Sequence, residues 1–287
     1  MSGKHRVQLS IGGFSILLFS EWELRLDVGY THFVTNPEAK PDILVECFEG
    51  MPVDILSGAE LVFQAANAEK MFYSIYRSGE NLVFAVYNQQ NRDEIQQLAQ
   101  LDESLSHWKI WMKQTDNVLE PLLFPMGPIL LHYTILQSDA VMMHGSSIFD
   151  GEKGRLFSGF SGAGKSTISK IWADSGSLLI NDDRVIIRKE VNGYFVYNTP
   201  MYYADVPKRA PLDAVYLISH SPINKIAKCK GAKAITGIMA FSIQNNYEHR
   251  FVKHHLDFFS ELCSTVPIYE LGFVPDRNVI SFIKENV

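Results

Sequence analysis

Nine consecutive residues, Gly159-Phe160-Ser161-Gly162-Ala163-Gly164-Lys165-Ser166-Thr167, constrain the fold of this chain more than any other stretch. They fit the pattern of a phosphate-binding loop: a glycine, four residues, then Gly-Lys-Ser/Thr. Such a loop works only between a strand that delivers the chain and a helix whose first turn meets the anion. The flanks agree. Arg155–Ser158 reads as a short strand, Ile168, Ile171 and Trp172 recur at helical spacing, and Gly176 stands where a helix would stop. The glycines admit backbone conformations that bring successive N–H groups toward phosphate oxygens. Lys165 is therefore expected at the β/γ-phosphates of a nucleoside triphosphate, and the Ser166 hydroxyl on Mg2+. The expected nucleotide-binding set is Gly159, Ser161, Gly162, Ala163, Gly164, Lys165, Ser166 and Thr167.

The chain before this loop has a different texture. Val7–Ile11 and Phe14–Phe19 read as a hairpin around Gly12-Gly13, and Asp42–Phe48 as a strand. Met71–Tyr76 and Asn81–Tyr87 form a second expected hairpin, and none of these segments carries recognisable chemistry. A polar connector at Asn88–Glu94 leads to a helix or irregular segment through Trp108 and Trp111. Pro121, Pro125 and Pro128 punctuate the chain, and Ile129–Gln137 is expected as a buried helix. These features divide the chain into a β-rich, antiparallel domain over residues 1–118, expected to select a substrate or partner, and a catalytic domain over residues 119–287.

After the loop, strands and helices alternate. Leu178–Arg184, Val185–Arg188, Tyr194–Tyr197, Ala214–Ile218, Ile226–Cys229 and Ile268–Leu271 read as strands. Ala232–Ile243, His249–Cys263 and Val279–Lys284 read as helices, giving an α/β or α+β layer around a central sheet. Asp182 and Asp183 close an apolar strand 17 and 18 residues after Lys165. One carboxylate there is placed to hold Mg2+, directly or through water, and the other to take a proton from an attacking hydroxyl.

The order His144-Gly145, then Gly159–Ser166, then Asp182-Asp183-Arg184 resembles the catalytic domain of HPr kinase/phosphorylase, a family within the phosphoenolpyruvate-carboxykinase-like P-loop fold. The likeness is close over about residues 140–190 and extends to Val287 in outline. It implies an α+β fold with an α/β-like C-terminal half, ATP and Mg2+ as cofactors, and phosphoryl transfer to a hydroxyl. Position by position, it implies Lys165 on the β/γ-phosphates, Ser166 on the metal and Asp182 supporting the metal or its waters. It makes Asp183 the base and sets His144 beside the pair. The implied partners are a nucleoside triphosphate and a serine-type hydroxyl on a peptide, protein or small molecule, with a homo-oligomer as the family's assembly.

The chain also departs from that family. Its second metal carboxylate lies in a Glu-Ile-Arg-Gly-Leu-Gly type segment, where this chain has Asn198–Arg209 with Asp205 as a substitute acid. Pro275–Asn278 echoes the family's phosphate-dependent reversal segment only faintly, so that activity is not expected here. The chain looks most like divergent HPr-kinase-like proteins that accompany peptide-modification systems. Lys208 and Arg209 are candidates to neutralise a transferring phosphoryl group. Lys225, Lys228, Lys230 and Lys233 read as an exposed strand edge and helix start.

Two other readings compete: a non-catalytic ATP-binding regulator, and a small-molecule kinase of the adenylylsulfate-kinase type. The second lacks its expected Asp-Gly-Asp motif after the loop. A transporter ATPase is excluded by order, because the only likeness to its signature, Leu56–Ala59, precedes the loop. A net charge of −6 argues against nucleic acid as a partner. Apolar stretches near Leu130 and Val141, broken by His132, Gln137 and Asp139, are too short to span a bilayer. Met1–Val7 shows no secretory pattern, and Cys47, Cys229 and Cys263 show neither pairing nor metal spacing, so a cytoplasmic protein with reduced thiols is expected.

Overall fold

The computed structural model describes residues 4–36, 40–66, 71–88, 90–91 and 94–287. Met1–Gly3, and Gln89, Arg92 and Asp93 of the polar connector, lie outside the described residues. The chain forms two compact units, Met1–Gln137 with Pro200–Val206, and Ser138–Thr199 with Pro207–Val287.

In the first unit, strands β1 (His5–Ile11) and β2 (Phe14–Ser20) form the expected hairpin, with Gly12 and Gly13 at φ 60° and 77° in a two-residue turn. Two short strands, β3 (Glu23–Leu24) and β4 (Val34–Thr35), flank a one-turn helix α1 (Val28–Thr31). Then come β5 (Ile43–Glu49), β6 (Glu60–Ala66), β7 (Met71–Ser78), β8 (Asn81–Tyr87), β9 (Ile95–Leu101), β10 (His107–Met112), β11 (Val118–Leu119) and helix α2 (Met126–Ile135). Nine of these strands form one sheet in the order β4-β1-β2-β5-β10-β9-β8-β7-β6.

Three expectations fail here. The sheet is not wholly antiparallel, because β5 runs parallel to both β2 and β10. Long excursions, not tight turns, reach β5 and leave it, and such crossovers are what parallel pairing requires. Trp108 and Trp111 lie on a strand and not on a helix or irregular segment. Burial alternates along β10, with Trp108, Ile110 and Met112 inside and His107, Lys109 and Trp111 on the other face. Trp108 joins Phe84 of β8 and Tyr133 of α2 in a ring cluster with centroids 5.0–6.0 Å apart. That cluster ties α2 to the first unit, so the compact units divide after Gln137 and not at the expected 118/119 boundary.

The second unit holds strands β12 (Ala140–Phe149), β13 (Gly154–Ser158), β14 (Leu178–Glu190), β15 (Gly193–Asn198), β16 (Arg209–Pro211), β17 (Ala214–His220), β18 (Lys225–Cys229) and β19 (Ile268–Phe273). Its helices are α3 (Lys165–Ala173), α4 (Gly231–Met239), α5 (His249–Thr265) and α6 (Asn278–Asn286). The strands form one mixed sheet, β16-β15-β14-β12-β13-β17-β19-β18. Helices cover both faces. Ile168 and Trp172 of α3 pack with Val279 and Ile283 of α6 over Ile148 and Phe157. Ala234 and Ile238 of α4, with Phe258, Phe259 and Leu262 of α5, cover Val141, Met143, Val185 and Ile187 on the opposite face. A mixed sheet between helical layers satisfies the coarse α+β expectation. Among the described residues no helix is long and apolar enough to cross a membrane, and all three cysteines are free thiols.

Candidate functional site

The glycine loop leaves the C-terminal end of β13, in mid-sheet between β12 and β17. Each glycine has its own reason. A Cβ on Gly159 would stand 2.8 Å from the Ile218 carbonyl oxygen, and one on Gly164 would stand 2.9 Å from the Phe273 ring and adopt φ +97°. Gly162, at φ +79°, would meet nothing within 4 Å, so there the backbone conformation alone favours glycine. Ala163 is buried, whereas Ser161, Ser166 and Thr167 are exposed.

Helix α3 starts at Lys165 with no side-chain cap, and its first internal hydrogen bond runs from the Ile168 N–H to the Gly164 carbonyl at 2.9 Å. The N–H groups of the first turn therefore face outward without an intrahelical acceptor, the arrangement that attracts anions. The Lys165 ammonium folds back to donate to the carbonyls of Gly159 at 2.9 Å and Phe160 at 3.1 Å.

Strand register brings the other predicted residues to this end of the sheet. On β12 and β14, His144 is paired with Arg184, Gly145 with Asp183 and Ser146 with Asp182. The Ser158 hydroxyl at the loop entrance donates to the His144 carbonyl at 2.6 Å, tying β13 to the same place. His144 lies two and four positions from Ser146 and Ile148, and Ile148 packs with α3, so alternation puts His144 on the α3 face. Its partner Arg184, and Asp182 two residues before, share that face.

Asp182 and Asp183 do not end a strand, as expected from sequence, but lie inside the 13-residue β14. Asn181 pairs with Ser147 and Leu179 with Ile148, which leaves Ile180 as the extra residue of a bulge. Three residues on, Asp183 has φ +107°, a left-handed backbone rare for a non-glycine residue. Its carboxylate lies 3.7 Å from His144 Nδ1 and 3.7 Å from Arg184 Nε. His144 holds the Asp183 carboxyl below the usual range. Burial opposes this, and the charges of Arg184 and Lys165 reinforce it. The half-buried Asp182 makes no ion pair among the described residues.

The chain behind these side chains is held internally. The Asn181 amide donates to the Arg184 carbonyl at 2.5 Å and to Thr199 Oγ1 at 3.1 Å, bracing the turn of backbone that carries both acids. His220, at the end of β17, places Nε2 2.7 Å from the Gly162 carbonyl. A carbonyl only accepts, so Nε2 carries the proton. Phe160, 76 % exposed, meets Phe241 edge-on at 5.0 Å. Sequence reasoning missed His220 and Phe273. Their signal is positional, since both close apolar strands that run parallel to β13 or to its neighbour, at the end where ligands of such sheets bind.

Three other candidates are engaged elsewhere. Arg209 pairs with Glu190 at 2.9 Å and lies 4.1 Å over the Phe195 ring, so it is not drawn to the loop. Lys233 pairs with Glu270 at 2.7 Å. Asp205 accepts from its neighbour's backbone, the Val206 N–H, at 2.9 Å and falls in the first compact unit.

The donor set suits a triphosphate with Mg2+. The uncapped first turn of α3 offers backbone N–H groups to phosphate oxygens, and Ser166 and Asp182 offer hard oxygen donors of the kind Mg2+ takes. No group of three or more His, Cys, Asp or Glu side chains able to hold a metal by themselves occurs among the described residues. No protein-family model matches the chain, and no curated protein matches it. Among solved structures, the Hpr(Ser) kinase/phosphatase from Coxiella burnetii aligns with 50 % of this chain and 94 % of its own, at 13 % identity and a TM-score of 0.31. A superposition of that quality assigns no residue a role.

Proposed function

We propose that this chain is an ATP- and Mg2+-dependent phosphotransferase acting on a serine-type hydroxyl of a peptide, protein or small molecule. One observation carries the reading: the uncapped glycine loop with Lys165 and the His144–Asp183–Arg184 group meet at one end of one sheet, tied by the hydrogen bond from the Ser158 hydroxyl to the His144 carbonyl. The division of labour follows from the chemistry of each group. The N–H groups of Lys165, Ser166 and Thr167 and the loop backbone bind the β/γ-phosphates, and the Lys165 ammonium leaves the carbonyls of Gly159 and Phe160 for phosphate oxygens. Ser166 and Asp182 would hold Mg2+, which screens the charge of the phosphate oxygens.

Asp183 is kept ionised by its neighbours and accepts the hydroxyl proton. A carboxylate with a lowered pKa is a weak base. Phosphoryl transfer tolerates that, because its transition state is loose and the proton leaves late, so orienting the acceptor oxygen is the larger task. The acceptor oxygen bonds to the γ-phosphorus, the bond to the β–γ bridging oxygen breaks, ADP leaves, and the proton resides on Asp183. His144 and Arg184 fix the carboxylate in place while this happens.

The test is transfer of label from γ-labelled ATP to hydroxyl acceptors, alongside direct nucleotide binding, in the wild type and Asp183→Asn. Binding preserved in both and transfer lost in the variant is the expected result. Binding without transfer to any acceptor in the wild type would instead make the chain a nucleotide-gated regulator.

A further inference from the structure

The first unit has a cavity of its own, of about 510 Å3, on the open face of the sheet where β2, β5 and β10 lie side by side. Its floor is the half-buried row Leu44, Glu46 and Phe48 of β5, whose alternate residues Ile43, Val45 and Cys47 point into the core. Phe48 stacks on Trp111 at 5.6 Å. One wall is the turn after β2. The Ser20 hydroxyl donates to the Cys47 carbonyl at 2.8 Å and accepts the Trp22 N–H at 3.1 Å, which sets Glu21 and Trp22 at the rim. Trp22 is 43 % exposed.

The lining holds three glutamates, Glu21, Glu46 and Glu49, and no lysine or arginine. Glu46 is bonded to His107 Nε2 at 2.6 Å, while Glu21 and Glu49 have no ion-pair partner among the described residues. Lys109 stands across from Glu46 in register, yet it does not line the cavity or pair with Glu46. Aromatic walls with uncompensated carboxylates select among occupants. An anion is repelled. A neutral apolar group would desolvate the carboxylates without return. A small inorganic cation gains little from ring faces, whereas a planar, weakly hydrated guanidinium gains from rings and carboxylates together.

We propose that this cavity is a docking site for an arginine side chain of a partner polypeptide, with Trp22 and Phe48 against its stem and plane and Glu21 and Glu49 as its counter-charges. This proposal stands apart from the phosphotransfer reading and uses none of its residues. The test is calorimetric titration of the full chain at low salt with a blocked Ala-Ala-Arg-Ala-Ala peptide, and with the same peptide carrying citrulline, the neutral isostere. Binding of the arginine peptide should saturate, and the citrulline peptide should bind at least about tenfold more weakly, as expected when a cation–π contact and an ion pair are both lost. Trp22→Ala and the pair Glu21→Gln, Glu49→Gln lie at exposed positions and should each weaken the arginine peptide while leaving the circular-dichroism spectrum unchanged. Equal binding of the two peptides, no saturable binding, or unchanged affinity in folded variants would overturn the assignment. Binding of free argininamide as tight as that of the peptide would also overturn the polypeptide assignment, in favour of a small-molecule site.

Discussion

Replacing Gly164 by alanine separates two demands on the glycine loop that coincide at this residue. The first is backbone: φ is +97°, where an L-residue with a Cβ is strained by about 1–2 kcal/mol. The second is space: the new Cβ would lie 2.9 Å from Cζ and 3.3 Å from Cε1 of Phe273, a buried ring with no room to retreat. Overpacking of this kind costs about 1–3 kcal/mol. Gly164→Ala should therefore lose about 2–5 kcal/mol. Gly162→Ala is the control, since φ is +79° but nothing lies within 4 Å of its Cβ, so only the backbone cost of about 1–2 kcal/mol applies. Amide hydrogen exchange in α3 reads the opening of that helix without requiring the whole chain to unfold in one step. Adding Phe273→Leu to Gly164→Ala should recover part of the packing cost, a favourable coupling of about 1 kcal/mol or more, and none of the backbone cost. Equal losses at Gly162 and Gly164, or strict additivity with Phe273→Leu, would refute the claim that the ring closes off Gly164.

Other expectations are as direct. His144→Ala removes the main influence holding the Asp183 carboxyl down, so the acid limb of the transfer rate should move to higher pH; an unmoved limb would show that His144 does not act through Asp183. Asp150 and Arg155 form a 2.7 Å pair with side chains 4 % and 5 % exposed, and Asp150→Asn should cost about 3–5 kcal/mol at neutral pH by stranding the guanidinium. Burial pushes the Asp150 carboxyl up, but the N–H groups of Lys153 and Glu152 and the Arg155 guanidinium outweigh it and bring it down from 3.8 to about 2. A carboxyl lowered in the folded state stabilises above its unfolded pKa, so the gap between wild type and variant in urea unfolding should narrow as pH falls from 4 toward 2. Burial raises the Cys47 thiol strongly and the Cys263 thiol to about 11, so both should react slowly with a disulfide reagent at neutral pH and at full rate in urea.

What the sequence made legible has a pattern. Where side chains decide local geometry, the reading was close. Gly12-Gly13 predict their turn, and Ile168, Ile171 and Trp172 a helix that the structure runs from Lys165 to Ala173. The candidate residues were read from motif and spacing. Errors arose where the outcome depends on partners far along the chain. The alternation of His107, Trp108, Lys109 and Ile110 is too short to announce a strand by itself; β5 and β9, which flank β10, fix it as one. Asp182 and Asp183 looked like a strand end because two acids interrupt an apolar run. In the sheet, β12 and β15 continue the ladder past them, and the positive φ at Asp183 absorbs the interruption. Parallel pairing at β5 was illegible for the same reason, since direction is set by the route of the connection and not by composition.

The short stretch Pro200–Val206 belongs to the first unit although the chain on both sides of it belongs to the second. Its backbone lies so close to α1 that a Cβ on Gly29 would fall 1.6 Å from the Met201 carbonyl oxygen, which excludes any larger residue there. The polypeptide therefore crosses between the units at three places, and no single cut frees either of them. A fragment starting at Ser138 would still carry Met201 and its neighbours, deprived of the α1 surface they rest on, with Tyr202 and Val206 already exposed in the intact chain. Dissecting this protein calls for bridging Thr199 to Pro207 with a short linker, not for truncation, and folding experiments on simple halves would measure the damage instead of the domains.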